Sequence, residues 1–188
     1  MCQPHPTTWM TRQQFPGNLE TVETVDDTPW LDDREARAWR SHVEVASLLT
    51  AHLNRQLQRD AALSDSDYGV LVHLSEAPGG RLRPFELGRA LRWEKSRLSH
   101  HLSRMEGRGL VEREGCGTDR RGAFVVLTDA GRAAIEAAAP LHVREVRRVF
   151  VDALTDEQLD ALAEINEKVL RRLEDRCETT AAPEQGCD

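Results

Sequence analysis

Aromatic residues are scarce in this chain, with four Phe, four Trp and one Tyr among 188 residues. Sheets favour aromatic and β-branched side chains, so this composition speaks against a β sandwich and for a helix-rich core of Ala and Leu. Cysteine is sparse too. Cys2, Cys116, Cys177 and Cys187 form no CxxC pair and have no His at metal-ligand spacing. That pattern argues against a bound metal and for reduced thiols. No apolar run approaches the roughly 18 residues that a membrane span needs. The first residues lack the basic start and apolar core of a signal peptide, so a cytoplasmic protein without membrane contact is expected. No nucleophile–base motif, phosphate loop or HExxH is present. Neither an enzyme nor a cofactor is expected.

Lysine is nearly missing, with two Lys against 23 Arg. Arginine favours bidentate contacts to phosphate and guanine, a bias that genomic base composition also produces. The net charge is −7, an unpromising sum for a nucleic-acid partner. Its distribution reverses that impression. Residues 89–121 hold nine Arg or Lys and five acids, a local +4 that leaves −11 for the rest of the chain. A basic island in an acidic protein marks one surface for an anionic partner.

The chain divides into five expected parts. Residues 1–28 carry scattered Pro, Thr and acids without periodicity, which predicts a poorly ordered tail. Residues 29–60 predict an N-terminal helix starting after Asp32 or Asp33, with Trp39, Val43, Ala46, Thr50, Leu53 and Leu57 forming one buried stripe. A central unit spans 61–127. It opens with a helix after Ser64 or Ser66, turning Tyr68, Leu71, Val72 and Leu74 inward and stopping at Pro78-Gly79-Gly80. Residues 128–176 predict two further helices, one capped by Thr128, with Pro140 liable to kink it, the other opened by a Thr155–Gln158 capping box. Residues 177–188 form a second expected tail. The apolar stripes near both chain ends suit intertwined dimerisation, so both outer parts are expected to pair with a second copy.

The central unit is the informative one. A short strand at 81–83 precedes a helix at 84–91, for which Pro84 suits the first turn. After the Arg92-Trp93 corner comes a longer helix at about 94–106. Two β-prone runs follow, at 110–114 and 123–127, flanking a Gly- and Arg-rich tip at 115–122. Short helix, corner, longer helix and hairpin make a winged helix-turn-helix, in a fold that is otherwise mainly α. With Leu98, Leu102 and Met105 inward, a step of about 100 degrees per residue puts Ser96, His100 and Ser103 on the outer face. Arg97 and Ser99 flank that face, with Arg104 beside Arg97. These six are the candidate contacts to base edges or phosphates of double-stranded DNA, with Arg120 and Arg121 reaching a groove from the hairpin tip. A dimeric reader also matches a palindromic operator. The alternative is a winged helix used as a protein-interaction module without DNA affinity.

With those residues in place, the chain resembles the MarR (multiple antibiotic resistance regulator) family of transcription factors. The resemblance covers about residues 39–173. It is carried by Leu53-Asn54-Arg55-Gln56-Leu57, Asp67-Tyr68-Gly69-Val70-Leu71, Leu98-Ser99-His100-His101-Leu102 with Met105-Glu106, and Arg108-Gly109-Leu110-Val111. Thr118-Asp119-Arg120-Arg121-Gly122 running into Val126-Leu127-Thr128-Asp129-Ala130-Gly131 completes it. The resemblance implies a homodimer of winged-helix lobes, joined by outer helices from both chain ends. It also implies a repressor released by a small aromatic or anionic effector, or by oxidation of a cysteine. The family's Asp-x-Arg wing pattern falls on Asp119-Arg120-Arg121 and favours Arg121 for groove insertion. Its ligand pocket, between DNA lobe and dimer helices, makes Trp39, His42, Tyr68 and His142 the effector candidates. Cys116, near Arg113, Arg120 and Arg121, offers a thiol-based redox sensor as an alternative, although the family's peroxide sensors carry their cysteine in the first helix, where this chain has none.

Overall fold

The structure, a computed structural model, describes residues 30–116 and 119–180, with the side chains of residues 116–122 and 176–180 outside the description. The expected tail 1–28 and most of the second tail therefore lie beyond the described residues. Six helices and a three-stranded antiparallel sheet make up the rest.

Helix α1 (Asp33–Ala61) starts where Asp32 and Glu35 exchange backbone-to-side-chain hydrogen bonds of 2.8 and 2.9 Å. It ends at Ala62, whose left-handed φ of 52° turns the chain back. Helix α2 (Asp65–Glu76) is capped the same way by Ser64 and Asp67. These reciprocal bonds satisfy amides that the first turn leaves unpaired. A 3-10 turn, Pro78–Gly80, leads into strand β1 (Arg81–Leu82). Helix α3 (Pro84–Leu91) opens on proline as expected, and Arg92 closes it in the left-handed region. Helix α4 (Lys95–Gly107) follows that corner. Strands β2 (Val111–Cys116) and β3 (Asp119–Leu127) form the wing, and β3 lies between β1 and β2. Helix α5 (Asp129–Val149) starts at Thr128, whose hydroxyl accepts from the Gly131 amide at 3.0 Å. Helix α6 (Asp156–Thr180) opens on the Thr155–Gln158 box.

The core gathers Leu63, Val70, Leu71 and Leu74 below Leu87, Leu98, Leu102 and Met105, and Val111, Val125, Leu127, Ile135 and Ala138 close it. Helices α2, α3 and α4 and strands β2 and β3 thus share one apolar centre with the first half of α5.

Several expectations need correction. The wing strands run further than 110–114 and 123–127, because cross-strand pairing from Val111↔Leu127 out to Cys116↔Asp119 draws part of the turn-rich tip into the ladder. Helix α5 ends at Val149, where a 3-10 turn, Val151–Ala153, takes over, and Pro140 lies within the helix. Helix α6 runs to Thr180, beyond the boundary set at 176. In α2, Val70 is fully buried, while Tyr68 and Val72 are only partly so. On α1 the stripe expected to be buried is open in the single chain: Trp39 is 48% exposed, Val43 and Thr50 are also exposed, and only Leu57 is fully enclosed. Helix α6 repeats the pattern, with Ile165 59% exposed and Val169, Leu170 and Leu173 open beside it.

Candidate nucleic-acid interface

Burial of Leu98, Leu102 and Met105 fixes the rotation of α4 and turns Ser96, Arg97, Ser99, His100, Ser103 and Arg104 outward together. All six expected positions therefore share one solvent face beside the wing. Arg120 and Arg121 fall on β3 near its start, and their side chains, like that of Cys116, lie outside the described residues.

Several of the outward side chains are held. The Arg97 guanidinium lies 4.4 Å above the Trp93 ring, a cation–π contact. Trp93 meets the His101 ring edge-on, with centroids 5.1 Å apart. Arg104 Nη2 lies 3.0 Å from His101 Nδ1. The Ser103 hydroxyl donates to the Ser99 carbonyl at 3.1 Å and accepts from Arg113 Nη2 at 3.2 Å. Arg113 also reaches the Ser99 carbonyl, tying β2 directly to α4. Ser103 is thus engaged locally, while Ser96 and His100 stand on the open surface.

Beneath this face lies a polar cluster that the sequence reading missed. Asp67 is 4% exposed, and its Oδ2 accepts from the Ser64 amide and, at 2.7 Å, from Arg108 Nη1. Arg108 Nη2 reaches the Ala62 carbonyl, so one guanidinium joins the exit of α4 to the α1–α2 corner. Asp67 Oδ1 lies 3.1 Å from His101 Nε2. Burial pushes the Asp67 carboxyl up, but the Ser64 amide and Arg108 outweigh it and hold it below the usual carboxylate range. Burial lowers the His101 imidazole despite the attraction of Asp67. Two signals pointed here. Asp67 stands three residues after Ser64, at the capping-box position, and His101 stands three after Leu98 and four before Met105, beside the inner stripe.

A cleft of about 830 Å³ opens between α3, α4 and the wing, bordered by Pro84, Gly88, Trp93, Leu98 and Ala123. Arg83, Arg89, Arg92, Lys95 and Arg113 ring it against a single carboxylate, Glu94. Four of the nine cations in the basic island, Arg89, Arg92, Lys95 and Arg113, thus line one cleft. The Arg81 and Arg83 guanidinium groups both lie within 4.9 Å of the Phe124 ring centre.

The four effector candidates fall into two pairs. Trp39 and His42 stack on the exposed part of α1 with centroids 6.2 Å apart. Tyr68 and His142 meet between α2 and α5 at 4.5 Å, and His142 Nδ1 lies 3.2 Å from Gln56 Oε1. His42 and Gln56 are 14 residues apart on one helix, about 21 Å. One small ligand cannot touch both pairs within a single chain. Burial lowers the His142 imidazole and raises the Tyr68 phenol.

Helix-corner-helix, antiparallel wing and a basic outward face together define a winged helix-turn-helix protein. Comparison with known proteins narrows the class. The MarR family matches residues 63–122. AbsC, a MarR family transcriptional regulator from Streptomyces coelicolor, is 45% identical, aligns over 79% of this chain and 99% of its own, and superposes with a TM-score of 0.75. Sco3205, a MarR family regulator from the same organism solved in complex with DNA, is 46% identical over 77% of this chain and 94% of its own, with a TM-score of 0.73. The transcriptional regulator HosA of Escherichia coli O157:H7 is 29% identical across 68% of this chain and 92% of its own length. The chain belongs to the MarR family of transcriptional regulators. It is not an enzyme. Among the described residues, no helix is long and apolar enough to cross a membrane.

Proposed function

We propose that the protein binds a palindromic operator in double-stranded DNA as a homodimer, with α4 in the major groove and the wing beside it, and that it represses transcription until a small aromatic or anionic effector releases it. The observation that carries this reading is the six-residue outward face of α4, set against a buried Leu-Leu-Met stripe and continuous with the basic cleft. Ser96, Arg97, Ser99, His100 and Arg104 are assigned to base edges or phosphates, and Ser103 to the same face through its link with Arg113. Arg120 and Arg121 are assigned to the adjacent groove. Support also comes from Sco3205, which was solved with DNA, and from MprA of Escherichia coli, a transcriptional repressor 24% identical to this chain.

The dimer reading rests on the exposed apolar residues of α1 and α6, which a second copy would cover. Residues 29–60 and 128–176 then form the dimerising parts around the 61–127 reading unit. Tyr68 and His142, at the junction of these parts, are the better-placed effector pair, since a ligand wedged there would alter how α5 meets the head. The test combines selection of bound duplexes from random DNA with sedimentation of the free protein. The expected result is a two-fold symmetric site with half-sites about 10 base pairs apart, or a multiple of that, bound by a dimer. A monomer, or binding indifferent to sequence at low salt, would overturn the proposal.

A further inference from the structure

Histidine is an odd choice at position 101. The ring is 6% exposed and sits beside Leu98, Leu102 and Met105, where an aliphatic side chain would fill the same space without carrying buried nitrogens. Its Nε2 is the one buried side-chain nitrogen or oxygen among the described residues without a well-aligned hydrogen bond, although Asp67 Oδ1 stands 3.1 Å away. What the ring touches explains its presence. A guanidinium has only donors, so Arg104 at 3.0 Å requires a bare lone pair on Nδ1 and places the ring proton on Nε2, toward Asp67. The face of Trp93, whose ring meets the edge of His101, carries Arg97. Asp67 cannot swing away, because the Ser64 amide and Arg108 hold it.

We infer that His101 is a positioning residue for DNA reading: its neutral ring, anchored on Asp67, presets Arg104 through Nδ1 and Arg97 through Trp93. The inference rests on the reading that α4 contacts DNA. An arginine already held in place loses less freedom on meeting its target, so presetting sharpens discrimination between sequences more than it raises general attraction to phosphate. Acid undoes the arrangement. A second proton would enter on Nδ1, facing Arg104, with Arg97 also near. The groups facing the ring are then Arg97 and Arg104 on α4 and Asp67 on α2, the last already engaged by Arg108. Burial sets this transition below the ordinary histidine range. His100, exposed on the same helix, is present in every protein compared, so its contribution cancels between the wild type and His101→Gln.

The experiment measures affinity for a duplex that the wild-type protein selects from a random pool, and for a shuffled duplex of the same composition, from about pH 7.5 to about pH 5.5. For the wild type, the ratio of the two affinities should hold near neutrality and fall only toward the acid end, by about tenfold once the ring is protonated. A ratio flat down to the acid limit of folding would overturn the inference. His101→Gln, whose amide offers both acceptor and donor, should keep the wild-type ratio within about threefold and hold it flat with pH. His101→Leu should lose about tenfold in the ratio at every pH, with affinity for the shuffled duplex unchanged. Imidazole nitrogen spectra of the free protein should show the Nε2–H tautomer at neutral pH. That measurement needs no variant to bind DNA. A full ratio in His101→Leu, a fall with pH in His101→Gln matching the wild type, or an Nδ1–H tautomer would each overturn the inference. If Arg97→Ala and Arg104→Ala leave the ratio unchanged, the two preset arginines do not read sequence and the inference falls; if Ser96→Ala, Ser99→Ala and His100→Ala do so as well, the reading of α4 falls with it.

Discussion

Gly131, in the first turn of α5, supports a quantitative test of how the wing is seated. A Cβ built there stands 2.0 Å from the Leu110 carbonyl oxygen and 2.8 Å from Leu127 Cδ1. The first distance is about 1.5 Å inside ordinary contact. The obstacle is backbone, and the Leu110 carbonyl also accepts from the Thr128 amide at 3.3 Å, so it cannot simply turn aside. In an unobstructed helix, replacing Gly by Ala gains about 1 kcal/mol. Forcing a methyl group into packed structure costs about 1–3 kcal/mol, and more against backbone. The clash wins, and Gly131→Ala should lose about 2–3 kcal/mol, lowering Tm by about 4–12 °C. Gly107 supplies the control. It is also helical, but an added Cβ would meet nothing within 4 Å, so Gly107→Ala should be neutral or gain up to about 1 kcal/mol. Urea melts of both variants, followed by far-ultraviolet circular dichroism, read the difference. The packing argument is refuted if Gly131→Ala melts with the wild type, or if Gly107→Ala falls as far.

Further predictions concern charge and assembly. Arg108→Met leaves the buried Asp67 carboxylate without its cation and should cost about 2 kcal/mol by chemical denaturation, below the roughly 3–5 of a fully buried pair because Arg108 is 44% exposed. Because the folded Asp67 carboxyl is held low, its stabilisation is complete above the ordinary carboxylate range and is lost as pH falls through the lower folded value. Asp67→Asn should therefore lose less stability than the wild type between about pH 5 and about pH 3, and parallel acid limbs would refute the assignment. Val169→Glu combined with Leu173→Glu should convert a dimer to monomers in sedimentation while leaving the helical spectrum intact; an unchanged dimer would remove α6 from the interface. Arg121→Ala should weaken binding to a selected duplex by about 1–3 kcal/mol, and an unaltered titration with folded protein would reject groove insertion.

What could be read from sequence follows the range of the interactions involved. Helix α3 was bounded correctly at 84–91 because Pro84 and the Arg92-Trp93 corner act within a few residues. The caps at Thr128 and Thr155 stand where expected, and of the alternatives at the first two helix starts the structure takes Asp32 and Ser64, all through bonds that span three residues. The outward face of α4 followed from helical periodicity, since its burial lies on one side. Periodicity marks an apolar stripe without saying what covers it, and on α1 most of that stripe is open in the single chain. The Asp67–His101–Arg108 cluster escaped because its members lie up to 41 residues apart and meet only once α2 crosses α4. The wing tip was drawn too wide because turn propensity there yields to pairing between strands, which local composition does not record.

One threonine ties the winged unit to α5. The Thr128 hydroxyl donates to the Gly109 carbonyl at 2.6 Å while accepting from the Gly131 amide, so it clasps the exit of α4, the end of the wing and the start of α5 at a single point. In the proposed pair, the separation of the two heads becomes a property of the lever α5, and its tilt is set at the α1–α5 seam where Gln56 meets His142. Operator spacing would then be governed far from any base, by whatever changes the angle of that seam.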